Sequence, residues 1–255
     1  MITICLTYFK SLTLANFAAA LHSVRTQDLT YVKEVVIIDN DTEDSAHELR
    51  TIADALAFPV SVHIFSYKHG DPTQTHAWST NTALAKVVTP WVFFTRADYI
   101  LDPSLLARAA AVVHQHEFEG LAAWRGFVTS NGCHLGIDVA ECEALRWRER
   151  GPAAVLSGTV FDYTSIDSGV WLGRRGDFWA VNGLDGRLTA WGHAQTDFQH
   201  RLFLTGVEFA RIPEVLFWHP AHGGEKDINL AHQQLRDCGF DIKDLWKRYE
   251  GVSPY

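Results

Sequence analysis

The chain has 255 residues, 47% of them hydrophobic, and a formal net charge of −8 at pH 7. That is enough apolar material for one full core, and the acidic balance with scattered Lys and Arg excludes a basic nucleic-acid footprint. No apolar run approaches about 18 residues, so no membrane span is expected. The four cysteines, Cys5, Cys133, Cys142 and Cys238, form no CxxC pair and read as reduced thiols in a cytoplasmic protein. The opening MITICLTYF lacks a basic leader and reads as a strand, not a signal peptide.

The first half alternates strand and helix patterns. Ile2 to Tyr8 is a buried strand, and Ser11 to Val24 has Leu14, Phe17, Ala18 and Leu21 at helical spacing. Val35 to Ile38 is a second strand ending at Asp39-Asn40-Asp41. Thr42 or Asp44 can cap the helix that runs on to about Leu56. Val60 to Phe65 is a third strand, Ala77 to Val88 a helix, and Trp91 to Thr95 a fourth strand. A short apolar run, Tyr99-Ile100-Leu101, then leads through Asp102-Pro103 into a helical pattern. The second half is less regular. Gly120 to Phe127 reads as a strand, Val139 to Arg150 as a polar helix and Gly151 to Asp167 as loop. Gly169 to Val181 carries strand-like aromatics, and Ala194 to Thr205 is a helix. Val207 to Ile212 and Val215 to Trp218 are strands, and Lys226 to Tyr249 is a terminal helical region.

Strands separated by helices of this length pair in parallel, through right-handed crossovers. Ligands of such sheets sit beyond the C-terminal strand ends. Tyr8, Asp39 and Arg96 to Asp98 all fall at such ends, so one crevice can gather them. Asp39 is placed to read a nucleobase or ribose, or else belongs to a turn and helix cap. Arg96 and Asp98 flank one residue. The carboxylate suits a divalent cation and the planar guanidinium suits a phosphate; the alternative is a local surface ion pair. His219 and His222, in Trp218-His219-Pro220-Ala221-His222, offer imidazole to a metal. Asp197 reads as a first-turn helix residue, which suits a general base or a group that binds backbone N–H. Trp191 could stack on a sugar face or lie in the core. A nicotinamide site is not expected, because no GxGxxG follows the first strand.

The order of these segments resembles that of the GT-A fold, family 2-like glycosyltransferases. It runs from a strand with Thr7-Tyr8 through VVIIDND, an Asn81-containing helix, FFTRADYILDP, VNGLDGRL and WGHAQTDFQHRLFLTGV to FWHPAH, covering residues 2 to 222. The resemblance implies an α/β fold of the GT-A, Rossmann-like kind: a mostly parallel central sheet flanked by helices, with an irregular C-terminal half. It also implies one domain over 1–255, with a nucleotide-binding half at 1–103 and an acceptor-binding half at 104–255. The implied activity moves a hexosyl group from a nucleotide-sugar, UDP-sugar favoured, to a hydroxyl of a glycan, lipid-linked or protein acceptor. Such a reaction would invert the anomeric centre and serve glycan or polysaccharide biosynthesis.

By the same resemblance Thr7, Tyr8, Asp39, Asn81, Arg96 and Asp98 hold the donor, and Trp191 meets the acceptor. Asp98, His219 and His222 would bind Mn2+ or Mg2+. Two departures stand out. Arg96 replaces the first Asp of Asp-X-Asp, so a metal, Arg96, or both could offset the diphosphate charge. With Arg201 as anchor, Ala194 and Gln195 fall on the Glu-Asp pair, and Asp197 matches the later carboxylate. Gln195 is a neutral amide with no useful proton affinity, so Asp197 is the base this alignment leaves. The alternative is a degenerate member that binds a sugar-nucleotide or glycan without transfer.

Overall fold

The computed structural model describes residues 1–8, 14–40, 45–67, 75–118, 125–134, 159–161, 169–188 and 193–219. In chain order its elements are β1 (Ile2–Tyr8), α1 (Leu14–Arg25), β2 (Val32–Asp39), α2 (Ala46–Ala55), β3 (Ser61–Ser66), α3 (Thr75–Lys86) and β4 (Trp91–Arg96). There follow β5 (Ile100–Leu101), α4 (Leu105–Phe118), β6 (Gly126–His134), β7 (Thr159–Phe161), β8 (Trp171–Arg174), α5 (Arg175–Ala180), α6 (His193–Leu204) and β9 (Glu208–His219).

The strands form one nine-stranded sheet in the order β3-β2-β1-β4-β8-β6-β9-β5, with β7 on β6. The run β3-β2-β1-β4 is parallel throughout, as helix-length crossovers require. β8 enters antiparallel between β4 and β6, and β9 again runs parallel to β6. The result is the mostly parallel, helix-flanked GT-A sheet expected from the sequence.

Strand alternation divides the core between the two faces of this sheet. Ile4, Leu6, Val35, Ile37 and Phe93 pack with Phe17 and Leu21 of α1, Leu49 of α2 and Leu105 of α4. Cys5, Val36, Ile38, Val92 and Phe94 pack with Leu84 of α3, Phe178 of α5 and Phe198 of α6. With both faces covered, β1 is buried along its whole length, which is why it reads as an almost continuous apolar run. Cys5 is a free, buried thiol, and burial followed by the charge of Glu34 pushes its pKa up. An aromatic seam ties the late elements to the sheet: Trp171 stacks on Phe94 at 5.3 Å, and Phe178 meets Phe198 at 4.9 Å.

The irregular half departs from the sequence expectation where turn-forming residues sit inside strands. β6 begins at Gly126, where the expected strand nearly ends, and runs through Ser130-Asn131-Gly132 to His134. Its register against β9 slips at those residues because β9 carries the extra residues there, so the turn-like tripeptide stays within the ladder. The two late strands expected at 207–212 and 215–218 are one strand, β9. Its partner register jumps from Ile212 to Val215, which passes over Pro213, a residue with no N–H for the ladder. Within Gly169 to Val181 only Trp171–Arg174 is strand; Arg175–Ala180 turns into α5. The expected helices at 139–150 and 226–249 lie outside the described residues. Among the described residues, no helix is long and apolar enough to cross a membrane.

Candidate active site

The crevice forms where β1, β2 and β4 end side by side. Tyr8 is in register with Asp39, and Thr7 with Arg96. Backbone bonds extend this edge past the strands: Asn40 N–H donates to Tyr8 O at 2.9 Å and Ala97 N–H to Thr7 O at 3.1 Å. Alternation sends Tyr8 to the α1 face, where its ring packs edge-on against Phe17 at 5.4 Å. Thr7 takes the opposite face. Its Oγ1 is buried with no hydrogen-bond partner among the described residues. An orphaned hydroxyl at a strand end is unusual enough to mark a ligand position.

Asp39 is 1% exposed, and each of its carboxylate oxygens accepts a serine hydroxyl: Ser45 Oγ at 3.2 Å and Ser66 Oγ at 2.8 Å. Ser45 precedes α2 and Ser66 ends β3, so two neighbouring elements fix the carboxylate. Neither serine is distinguishable in the sequence from ordinary turn residues.

Arg96 and Asp98 are a local pair, but not at the surface. Nε donates to Oδ1 at 3.0 Å and Nη2 to Oδ2 at 2.8 Å, a side-on fork between side chains 8% and 0% exposed. The strand ends at Arg96, and a turn closes with Tyr99 N–H donating to Arg96 O at 3.2 Å. That turn brings the carboxylate back onto the guanidinium. His219, the last residue of β9, places Nε2 3.1 Å from Asp98 Oδ2. Tyr99 lies under the guanidinium at 5.2 Å and meets the His219 ring at 4.9 Å. Gly169 closes the cradle. At φ +71 a Cβ there would stand 3.0 Å from Arg96 Cδ, so glycine is what lets the arginine stem pass.

His76 and Gln195 approach from the helices above the same sheet face. The Gln195 amide meets His76 Nε2, while Gln195 Oε1 is buried without a hydrogen-bond partner among the described residues. His76 keeps some exposed area, but its ring is enclosed. Burial first, and then the Arg96 charge, hold its pKa down to about 3, with Asp98 pulling the other way. His76 is therefore neutral and contributes no positive charge. Because its folded pKa lies below the ordinary 6.5, its contribution to stability is full above pH 6.5. It is lost as pH falls from there toward 3, at up to about 1.4 kcal/mol per pH unit. Denaturant melts at pH 6.5 and 4.5 should show a smaller acid loss in His76→Asn than in the parent; equal losses would refute this.

Asp197 lies on α6 beyond its first turn, 1% exposed. Its Oδ2 accepts from Arg201 Nε at 2.9 Å and Nη2 at 2.6 Å, while Arg201 Nη1 also donates to Val181 O. Asp197 is thus held by a guanidinium one turn on, where the sequence suggested a first-turn position. Ala194 points into the core, 1% exposed, and Gln195 faces the crevice. Asn81 is engaged at both ends: Nδ2 donates to Leu184 O at 2.8 Å, and Oδ1 accepts from Leu184 N–H at 2.9 Å. It clamps α3 to the turn after α5, where Gly183 at φ +66 leaves room for it. Trp191 and His222 lie outside the described residues. His76, Tyr99 and Gly169 carried no sequence signal; their roles come from distant elements meeting at the edge.

The residues do not fit a divalent ion at Asp98. Both of its oxygens are held by the guanidinium fork, and a resident positive charge stands against them. Among the described residues, no group of three or more His, Cys, Asp or Glu is arranged to hold a metal.

Together these features define an open α/β sheet whose parallel strand ends gather acceptors, a guanidinium and an orphaned hydroxyl at one edge, the edge where sheets of this kind take ligands. The chain belongs to glycosyl transferase family 2, whose profile matches residues 3–175. A profile described as the N-terminal domain of galactosyltransferase matches residues 153–222. No curated protein matches the chain in sequence. Its fold is similar to the crystal structure of S. aureus TarS, at TM-score 0.58 and 14% identity over 86% of this chain and 36% of that one. It is also similar to TarS 1–349 in complex with UDP-GlcNAc, at TM-score 0.61 and 14% identity over 88% and 60%. For TarS 1–349 in complex with UDP the TM-score is 0.58 and the identity 13%, over 86% and 60%. The chain spans 36% to 60% of the length of these TarS chains.

Proposed function

We propose that the protein transfers a hexosyl group from a UDP-sugar to a hydroxyl acceptor, with inversion, in glycan or polysaccharide assembly in the cytoplasm. The observation that carries this is the strand-end edge itself. Asp39, in register with Tyr8, and Arg96, in register with Thr7, end the parallel strands on either side of β1, with the polarity that uracil and diphosphate require and the Thr7 hydroxyl between them. Asp39, fixed by two serines, would accept from the base. Thr7 Oγ1 would find its missing partner in the nucleotide. Arg96 would face the diphosphate. Family membership and the UDP and UDP-GlcNAc bound to TarS of similar fold support the donor class.

In the proposed reaction the acceptor oxygen attacks the anomeric carbon as the bond from that carbon to the diphosphate oxygen breaks. The acceptor proton passes to Asp197, and the nucleoside diphosphate departs with the bonding electrons. Arg201 holds Asp197 in place until then. Trp191 is assigned to the acceptor side, and the acceptor is a glycan, a lipid-linked sugar or a protein.

Calorimetric titration with UDP tests the donor half. The parent should bind, and Asp39→Ala should bind about 10- to 100-fold more weakly, the value of one hydrogen bond to a charged group. Equal affinity would remove Asp39 from the nucleotide site. A second reading, binding without transfer, is favoured by one observation: Gln195 stands where a carboxylate is expected and its Oε1 is buried without a partner among the described residues. UDP-sugar binding with neither transfer nor hydrolysis would establish that reading instead.

A further inference from the structure

We propose that the Arg96 guanidinium is the protein's built-in cation, so that this crevice binds a nucleoside diphosphate without a divalent metal. The inference rests on the donor-binding reading above but makes a separate claim about charge. Four observations carry it. Arg96 grips Asp98 side-on through Nε and Nη2, at 3.0 and 2.8 Å, with both side chains buried. A metal on Asp98 would have to displace that fork or sit against it. His219 Nε2 is 3.1 Å from the same Oδ2, so the two strongest donors of a metal set already face each other and the guanidinium. Gly169 and the Tyr99 ring shape a slot for the arginine stem and head, which makes its position part of the fold and not a chance of rotamer. The local charge also closes. An aspartate in place of Arg96 would change the position by two negative charges, which a divalent ion would have to restore; Arg96 with Asp98 is neutral by itself.

A diphosphate oxygen that reaches the guanidinium meets a cation that Asp98 and Tyr99 hold in place. Preorganised charge of this kind stabilises the leaving group without an ion having to bind first. His76, neutral in this setting, adds no second cation that could do the same work.

The test uses the intact chain, stripped with EDTA, and two probes. Mn2+ alone is followed by electron paramagnetic resonance. The parent should show no site tighter than nonspecific binding, and Arg96→Asp should bind Mn2+ at least about tenfold more tightly, because a like charge becomes a second carboxylate beside Asp98. UDP is followed by calorimetry. The parent should bind equally with EDTA and with Mn2+, and Arg96→Gln should lose at least about tenfold in affinity that Mn2+ does not restore. A tight Mn2+ site in the parent, or UDP binding that appears only with Mn2+, overturns the proposal. Failure of Arg96→Asp to gain Mn2+ while folded by circular dichroism also overturns it. If UDP binds under neither condition, the donor reading fails, and the Mn2+ measurements still decide whether Arg96 holds the cation position.

Discussion

Asp197→Asn is expected to lower turnover by about 10²- to 10⁴-fold, the usual value of a general base, with UDP affinity unchanged. The substitution keeps shape and one acceptor oxygen while removing proton affinity. The Arg201 fork, at 2.9 and 2.6 Å, keeps a carbonyl acceptor, and Arg201 is partly open to solvent, so the loss of charge is tolerated by the fold. A merely structural ion pair would behave differently: stability would fall and turnover of the folded fraction would not. Turnover per folded molecule, measured beside the melting midpoint, separates the two. Unchanged turnover would remove Asp197 from the chemistry and pass the role to a group outside α6.

The parallel half of the fold was legible because its strands are buried on both faces. Ile2 to Tyr8 and Val35 to Ile38 carry apolar residues at nearly every position, and helices of crossover length leave little choice of topology. The placement of Asp39 and Arg96 at strand ends followed directly. The start of β2 was not legible, because Lys33-Glu34 interrupts the apolar run; there Glu34 accepts from the Thr3 hydroxyl at 3.1 Å, and β2 begins at Val32. β6 and β9 escaped for a different reason. Asn131-Gly132 and Pro213 are local turn signals, and only pairing between strands far apart in sequence keeps them inside strands, with the extra residues bulging from β9. The site divides along the same line. Residues next to each other in the chain, Arg96 and Asp98, were found together. Their burial, and the contributions of His76 and Gly169, arise from chain segments that meet only in the folded sheet, whereas His219 was named with Asp98 from the resemblance and lies 3.1 Å from it.

Asp98→Ala is expected to destabilise the protein by about 3–5 kcal/mol, because it removes one member of a buried ion pair and leaves the other in place. For a chain of this size that is a fall in melting midpoint of roughly 10 °C. The guanidinium loses both ionic hydrogen bonds at once, and with 8% of its side chain exposed it cannot recover them from water. The cost comes from the orphaned charge, not from the loss of a favourable pair, and a double variant separates these. Arg96→Met with Asp98→Leu removes both charges and fills the slot beside Gly169 and Tyr99 with apolar atoms. It should recover most of the lost stability, since replacing both members of a buried pair is often close to neutral. Arg96→Met alone should cost less than Asp98→Ala, because Asp98 keeps His219 Nε2 at 3.1 Å. An unchanged midpoint in Asp98→Ala would mean that the fork is open in solution and that Asp98 is available to other cations. The claim that Arg96 itself supplies the positive charge at this strand end would then lose its structural basis.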